Sequence, residues 1–163
     1  MASTFEIITV NNAEQEKILR KVSKPIVKLD KNHKKLIAKM KKTLAKEETG
    51  VGLAAPQIGE NVRIVLAVIG KKIMVLINPE IVTHSQTKNL DDEGCLSIPK
   101  MFGKVERWNK IELKFYDEKF FPKTRILTDF DARVVQHEID HLDGILFTDK
   151  ATGEIETELN SEE

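Results

Sequence analysis

The order of elements along the chain predicts an α+β fold: a single domain with mostly antiparallel sheet. Two observations carry this. Segments rich in β-branched residues cluster in the middle of the chain, and one long helical pattern precedes them while another follows. A repeating strand–helix alternation, the mark of a parallel sheet, is missing.

The first helix is read from "LDKNHKKLIAKMKKTLAKEETG". Leu36, Ile37, Met40 and Leu44 fall at helical spacing with lysines on the other side. A helix from about 32 to 48 follows, with Asp30 near its start and Gly50 just past its end. The lysine face reads as solvated surface. "NVRIVLAVIG" and "KKIMVLINPEIV", separated by Gly70-Lys71-Lys72, suggest a hairpin. "KVERWNKIELKFYDEKFFPK" alternates through Ile111, Leu113 and Phe115, then turns near Asp117 to Lys119 into another short strand. In "TDFDARVVQHEIDHLDG", Thr128 or Asp129 is the candidate cap, Val134, Val135, Ile139 and Leu142 give the apolar stripe, and Gly144 is the terminator.

The bulk composition sets limits. The 163 residues suit one domain, predicted as 1–150, with a polar acidic tail at 151–163 expected to fray. Lysine plus arginine and aspartate plus glutamate both number 26, so no global field favours nucleic acid or acidic lipid. "MASTFEIITV" lacks the pattern of a secretory signal, and no apolar run approaches the roughly 18 residues of a membrane span. The single cysteine, Cys95, cannot staple the fold internally, which fits a reducing, cytoplasmic setting.

"QHEIDHLDG" is the most informative stretch. His137 and His141 stand four apart, which on a helix puts their Cβ atoms about 6 Å apart on one face. Two imidazoles so placed can converge on a metal ion, with Glu138 close enough to take a proton from a bound water. The bland alternative is a surface helix that happens to carry two histidines. The extended metalloprotease pattern fails: Gly144 is in place, but Phe147 occupies the third-ligand position. His33 and His84 lie in a lysine-rich helix and a polar loop and read as surface residues.

Cys95, in "DDEGCLSIPK", has three readings: a packed core thiol, a nucleophile with a histidine base, or a third metal ligand. The last uses Glu138 as well, and two histidines plus a thiolate leave a fourth tetrahedral position open, as catalysis requires.

"GVGLAAPQ" (50–57), "EGCLS" (93–97) and "HEIDH" (137–141), in that order, resemble the three signature motifs of peptide deformylase. The resemblance covers roughly residues 5 to 150 and implies a deformylase-like sheet around a central metal-binding helix. It implies a metal-dependent hydrolase that removes the formyl group from N-formylmethionyl peptides of nascent proteins. Cys95, His137 and His141 would bind one divalent ion, ferrous iron in cells, with zinc, nickel or cobalt able to replace it. Glu138 would be the general base and acid, and Gln57 and the Leu96 backbone N–H the oxyanion donors. Gly52 would meet the substrate backbone, with Val51 and Val134 as candidates for the methionine pocket. Glu93 is expected to pair with Arg107 in support of the site, against the alternative of an ordinary surface pair.

Two departures stand out. Phe102 occupies the place where many bacterial members carry an arginine beside the substrate, and Arg133 either compensates for it or faces solvent. The acidic C-terminal stretch lacks the basic residues of a ribosome-docking helix, so contact with the ribosome would be transient and by another route. A metallopeptidase or other amidase, and a non-catalytic metal protein, are the competing functions; retention of Glu138 and Gln57 argues against the last.

Overall fold

A computed structural model describes residues 5–158. A short helix, α1 (Ala13–Leu19), opens the fold, capped by Asn12, whose side chain accepts from the amides of Glu14 and Gln15. Helix α2 spans Lys31–Ala45. Asp30 accepts from the His33 amide while the His33 ring accepts from the Asp30 amide, so His33 belongs to the cap. The helix stops short of the predicted residue 48, and a turn closed by the Gly50 amide on the Glu47 carbonyl follows.

Five antiparallel strands then form the larger sheet, in the order β1 (Gly52–Ala54), β2 (Ile64–Ile69), β3 (Lys72–His84), β6 (Lys110–Tyr116) and β7 (Pro122–Thr128). A one-turn 3₁₀ segment, Ala55–Ile58, follows β1. The β2–β3 hairpin turns on Gly70 and Lys71, both at positive φ as a primed turn requires, and Lys72 already belongs to β3. The smaller sheet holds β4 (Lys88–Cys95), β5 (Ile98–Trp108) and β8 (Thr152–Thr157). β8 corrects the expectation of a frayed tail: residues 152–157 pair with β5, where Met101 faces Thr157 and Phe102 faces Glu156. The rest of that tail, 159–163, lies outside the described residues.

Helix α3 (Asp129–Leu142) is buried along Ala132 to Leu142 and packs on β1, β2 and β7 of the larger sheet and β5 of the smaller. Thr128 stands at the N-cap, though its side chain makes no capping bond. Short helix α4 (Phe147–Lys150) precedes β8. Alternation along β2 explains the layering. Val65 and Ala67 face the cluster shared with Val135, Ile139 and Leu142 of α3, whereas Ile64 and Leu66 face Ile37, Met40 and Leu44 of α2. The sheet is covered on both faces, which is why "IVLAVI" reads as a continuous apolar run. Each such fully buried aliphatic side chain contributes about 1.5–3 kcal/mol. No helix among the described residues is long and apolar enough to cross a membrane.

Candidate metal centre

Cys95 ends β4 at an irregularity: Gly94 pairs with Phe102, but Cys95 pairs with Ile98 across a tight turn. That turn swings the sulfur out of the ladder toward α3. There the ligand atoms of Cys95, His137 and His141 all lie within 4.8 Å of one another, with the Cys95 sulfur 3.3 Å from Nε2 of His141. The two imidazoles sit with ring centroids 5.1 Å apart.

Behind them lies a buried charge network. The Glu93 carboxylate meets Nδ1 of His137 at 2.8 Å and accepts from Nε and Nη2 of Arg107 at 2.9 Å each. Arg133 donates to the same carboxylate at 2.6 Å, to the Val105 carbonyl at 2.8 Å and to Asn89. Arg107 also donates to Asp140 at 2.6 Å. Engaging Nδ1 of His137 leaves its Nε2 for the side of the site that holds the Cys95 sulfur.

Glu138 is 4% exposed, and its Oε2 has no hydrogen-bond partner. It packs against β1: a Cβ at Gly52 would lie 2.6 Å from Oε1. Gln57 is anchored through its Oε1, which accepts from the Ala54 amide at 2.9 Å. Its Nε2 donates to the Ser97 hydroxyl at 3.2 Å and lies 3.7 Å from the Cys95 sulfur.

The sequence matches the family described as Polypeptide deformylase over residues 5–156. The chain belongs to that family. It is 42% identical to the peptide deformylase of Heliobacterium modesticaldum over 148 residues, covering 91% of this chain and 94% of that one. Among solved structures, peptide deformylase from Thermotoga maritima superposes with a TM-score of 0.86 at 36% identity, covering 93% of this chain and 99% of that one. The Synechococcus elongatus enzyme in complex with actinonin superposes at 0.84 and 30% identity, covering 94% and 84%. As a peptide deformylase, the chain is a hydrolase of protein biosynthesis that acts on peptides and depends on a metal.

The donor set fits such an ion. Burial and the neighbouring His137 hold His141 well below its ordinary pKa, in the neutral form that coordinates. His137 is raised to about 10: burial works against its charge, but Cys95, Glu93 and Glu138 outweigh it. So much negative potential around one imidazole is the complement of a cation. Burial pushes Glu138 up to about 7. Burial also opposes ionisation of Glu93, yet Arg107 and His137 hold it at about 2.

A cleft of about 500 Å³ opens over the centre. Val51, Gly52, Gln57, Leu96, Val134 and Glu138 all line it, while His141 lies behind the wall, 1% exposed. Phe102, 40% exposed, borders the cleft with its ring over Gly94, where a Cβ would meet it at 2.9 Å. Phe147, at the position where the extended metalloprotease pattern would place its third histidine, is buried with its ring centroid 6.2 Å from that of His137.

Arg133 neither faces solvent nor presents a free guanidinium to the cleft: it is 3% exposed and spent on Glu93, Val105 and Asn89. The Glu93–Arg107 pair is buried, not a surface pair. Sequence reasoning missed Ser97, Asn89 and Asp140. Ser97 and Asp140 sit inside the quoted motifs, which was the available signal. His84 is exposed, as expected, but stacks on Trp108 at 3.7 Å.

Proposed function

We propose that this chain hydrolyses the formyl amide of N-formylmethionyl peptides, releasing formate and a free α-amino group. A divalent ion held by Cys95, His137 and His141, ferrous iron in cells with zinc, nickel or cobalt as substitutes, would supply Lewis acidity toward water and the formyl oxygen. The observation that carries the reading is the Glu138 carboxylate, buried, with an unpartnered oxygen, in the cleft beside three converging donors.

Glu138 accepts a proton from the water that attacks the formyl carbon. With its pKa near 7 it then returns that proton to the nitrogen as the C–N bond breaks. The Gln57 amide and the Leu96 backbone N–H donate to the formyl oxygen as it gains charge; losing one such donor costs about 2.7–4 kcal/mol of barrier. Gly52 offers its backbone to the substrate chain, and Val51 and Val134 border the space for the methionine side chain. The setting is the cytoplasm, where new chains begin. Contact with the ribosome would be transient, and the acidic strand at 152–157 offers no basic face for it.

The test couples anaerobic purification and metal analysis to formate release from formyl-methionyl peptides. Glu138→Ala is expected to abolish turnover with metal content nearly intact; retained activity removes its acid–base role. Cys95→Ser is expected to weaken metal retention or change the metal held. Cleavage of internal peptide bonds alone would reject deformylation in favour of a peptidase.

A further inference from the structure

We propose that α2 and the segment leading into it form a docking face for the phosphate backbone of RNA. The overall charge balance hides a strong local segregation. Residues 21–46 carry ten lysines and a single carboxylate, Asp30, in a chain whose basic and acidic residues are equal in number. Asp30 is committed to capping α2 through His33. Lys41 is matched by Glu118 at 2.6 Å, and Lys39 lies over the Phe5 ring at 3.9 Å. Lys21, Lys24, Lys28, Lys31, Lys34 and Lys35 are exposed, as are Lys42 and Lys46.

The placement is ordered. Lys31, Lys35 and Lys42 recur at helical spacing along one side of α2, whose 15 residues span about 22 Å, and Lys46 follows at its C-cap. The lead-in segment is fixed on the same core. Ile26 packs with Ile37 and Met40, and Asn78 clamps its amide and carbonyl at 2.8 Å each. The Ser23 amide donates to the Leu142 carbonyl at 2.8 Å. These lysines therefore stand on a rigid scaffold rather than a loose tail, and little backbone order is lost when they meet a charged surface.

Charge complementarity selects a polyanion, and the apolar residues select which. A bilayer-docking helix presents large apolar or aromatic side chains beneath its basic residues. Here Ile37, Met40 and Leu44 are buried in the core, and the exposed large apolar residues of the segment are Val22 and Val27. A phosphate backbone needs only the cations. The position also makes sense of the fold: past α2 the chain runs through Glu47, Thr49 and Gly50 on the wall of the cleft, so a docked RNA would lie beside the peptide entrance.

The proposal is independent of the hydrolytic reading and is tested by binding. The full-length protein is titrated into a fluorescein-labelled A-form RNA hairpin at low ionic strength, following anisotropy, and the titration is repeated at rising salt. Binding is expected, with affinity falling steeply as salt rises. The triple variant Lys31→Glu, Lys34→Glu, Lys35→Glu should lose roughly tenfold or more in affinity and show a shallower salt slope. Its formate release from a short formylated peptide should be unchanged. New carboxylates near the N-terminus of α2, at Lys31 and Lys34 above all, suit the helix dipole, which protects the fold; a Lys→Gln set at the same positions is the second variant. Lys110→Glu, Lys114→Glu, Lys123→Glu, on exposed positions of β6 and β7, makes the same charge change and should leave binding intact. Absent RNA binding, an equal loss in the β6–β7 variant, or tighter binding to phosphatidylglycerol vesicles than to RNA would each overturn the proposal.

Discussion

Gly52 has no room for a side chain, because the Glu138 carboxyl occupies the space where one would stand. Beside the contact with substrate proposed for it, the glycine-rich motif thus lets the buried carboxylate pack against β1. Gly52→Ala should push Oε1 aside, since contact at 2.6 Å is untenable for a methyl group. Misplacing a proton-transfer group by about 1 Å costs on the order of 10²-fold in rate. The expected outcome is a fall in kcat of that order with bound metal unchanged, measured by formate release and metal content. An unaltered kcat would show that the carboxylate relaxes without consequence. At this scale the candidate donor set that the fold brings together was legible, because the imidazoles, thiol and carboxylate of such a cluster are written in the residue types and their spacing. Arg133 was not. A basic residue on a helix reads the same whether water or a buried Glu93 receives its guanidinium.

At the scale of elements, the centre is made where β4 meets α3, and the buried charges tie the two together. Arg133 reaches from α3 to Asn89 and Glu93 on β4 and to the Val105 carbonyl on β5. Arg107 joins Glu93 to Asp140 on α3, which also accepts from Lys150 of α4. Removing one member of a buried pair typically costs about 3–5 kcal/mol, because the other charge stays behind unpaired. Arg133→Met is therefore expected to destabilise the protein by that amount in urea unfolding. It should also weaken metal retention against a chelator by roughly 10–100-fold, since Glu93 would orient His137 less firmly. Wild-type chelator resistance in a folded Arg133→Met protein would place the guanidinium outside the support of the site. The helices α2 and α3 and the β2–β3 hairpin were legible from their periodicity. β4 and β8 were not, because "KNLDDEGC" and "TGEIET" carry no apolar alternation and owe their strand form to pairing with β5. The seven-residue α1 offered too short a pattern to register.

Over the whole molecule, a sheet covered by α2 on one face and α3 on the other presses the ionisable groups of the centre into the interior, and this links stability to pH. Glu93 is the clearest case. Its carboxyl has an ordinary value of 4.5 and is held at about 2 in the fold, so the unfolded chain binds its proton first as the solution is acidified. The stabilisation is fully present above about pH 4.5 and is lost as pH falls toward 2. The difference corresponds to roughly 3 kcal/mol, an upper bound because Arg107 and His137 share it. Metal-free protein should accordingly show a falling midpoint of urea unfolding between these values. Glu93→Gln should be less stable at neutral pH, where it leaves Arg107 and Arg133 facing a neutral amide, but its curve should be flatter across the same window. Parallel acid profiles for wild type and Glu93→Gln would mean that other carboxylates, such as Asp149 beside Arg20, carry the acid sensitivity of the fold.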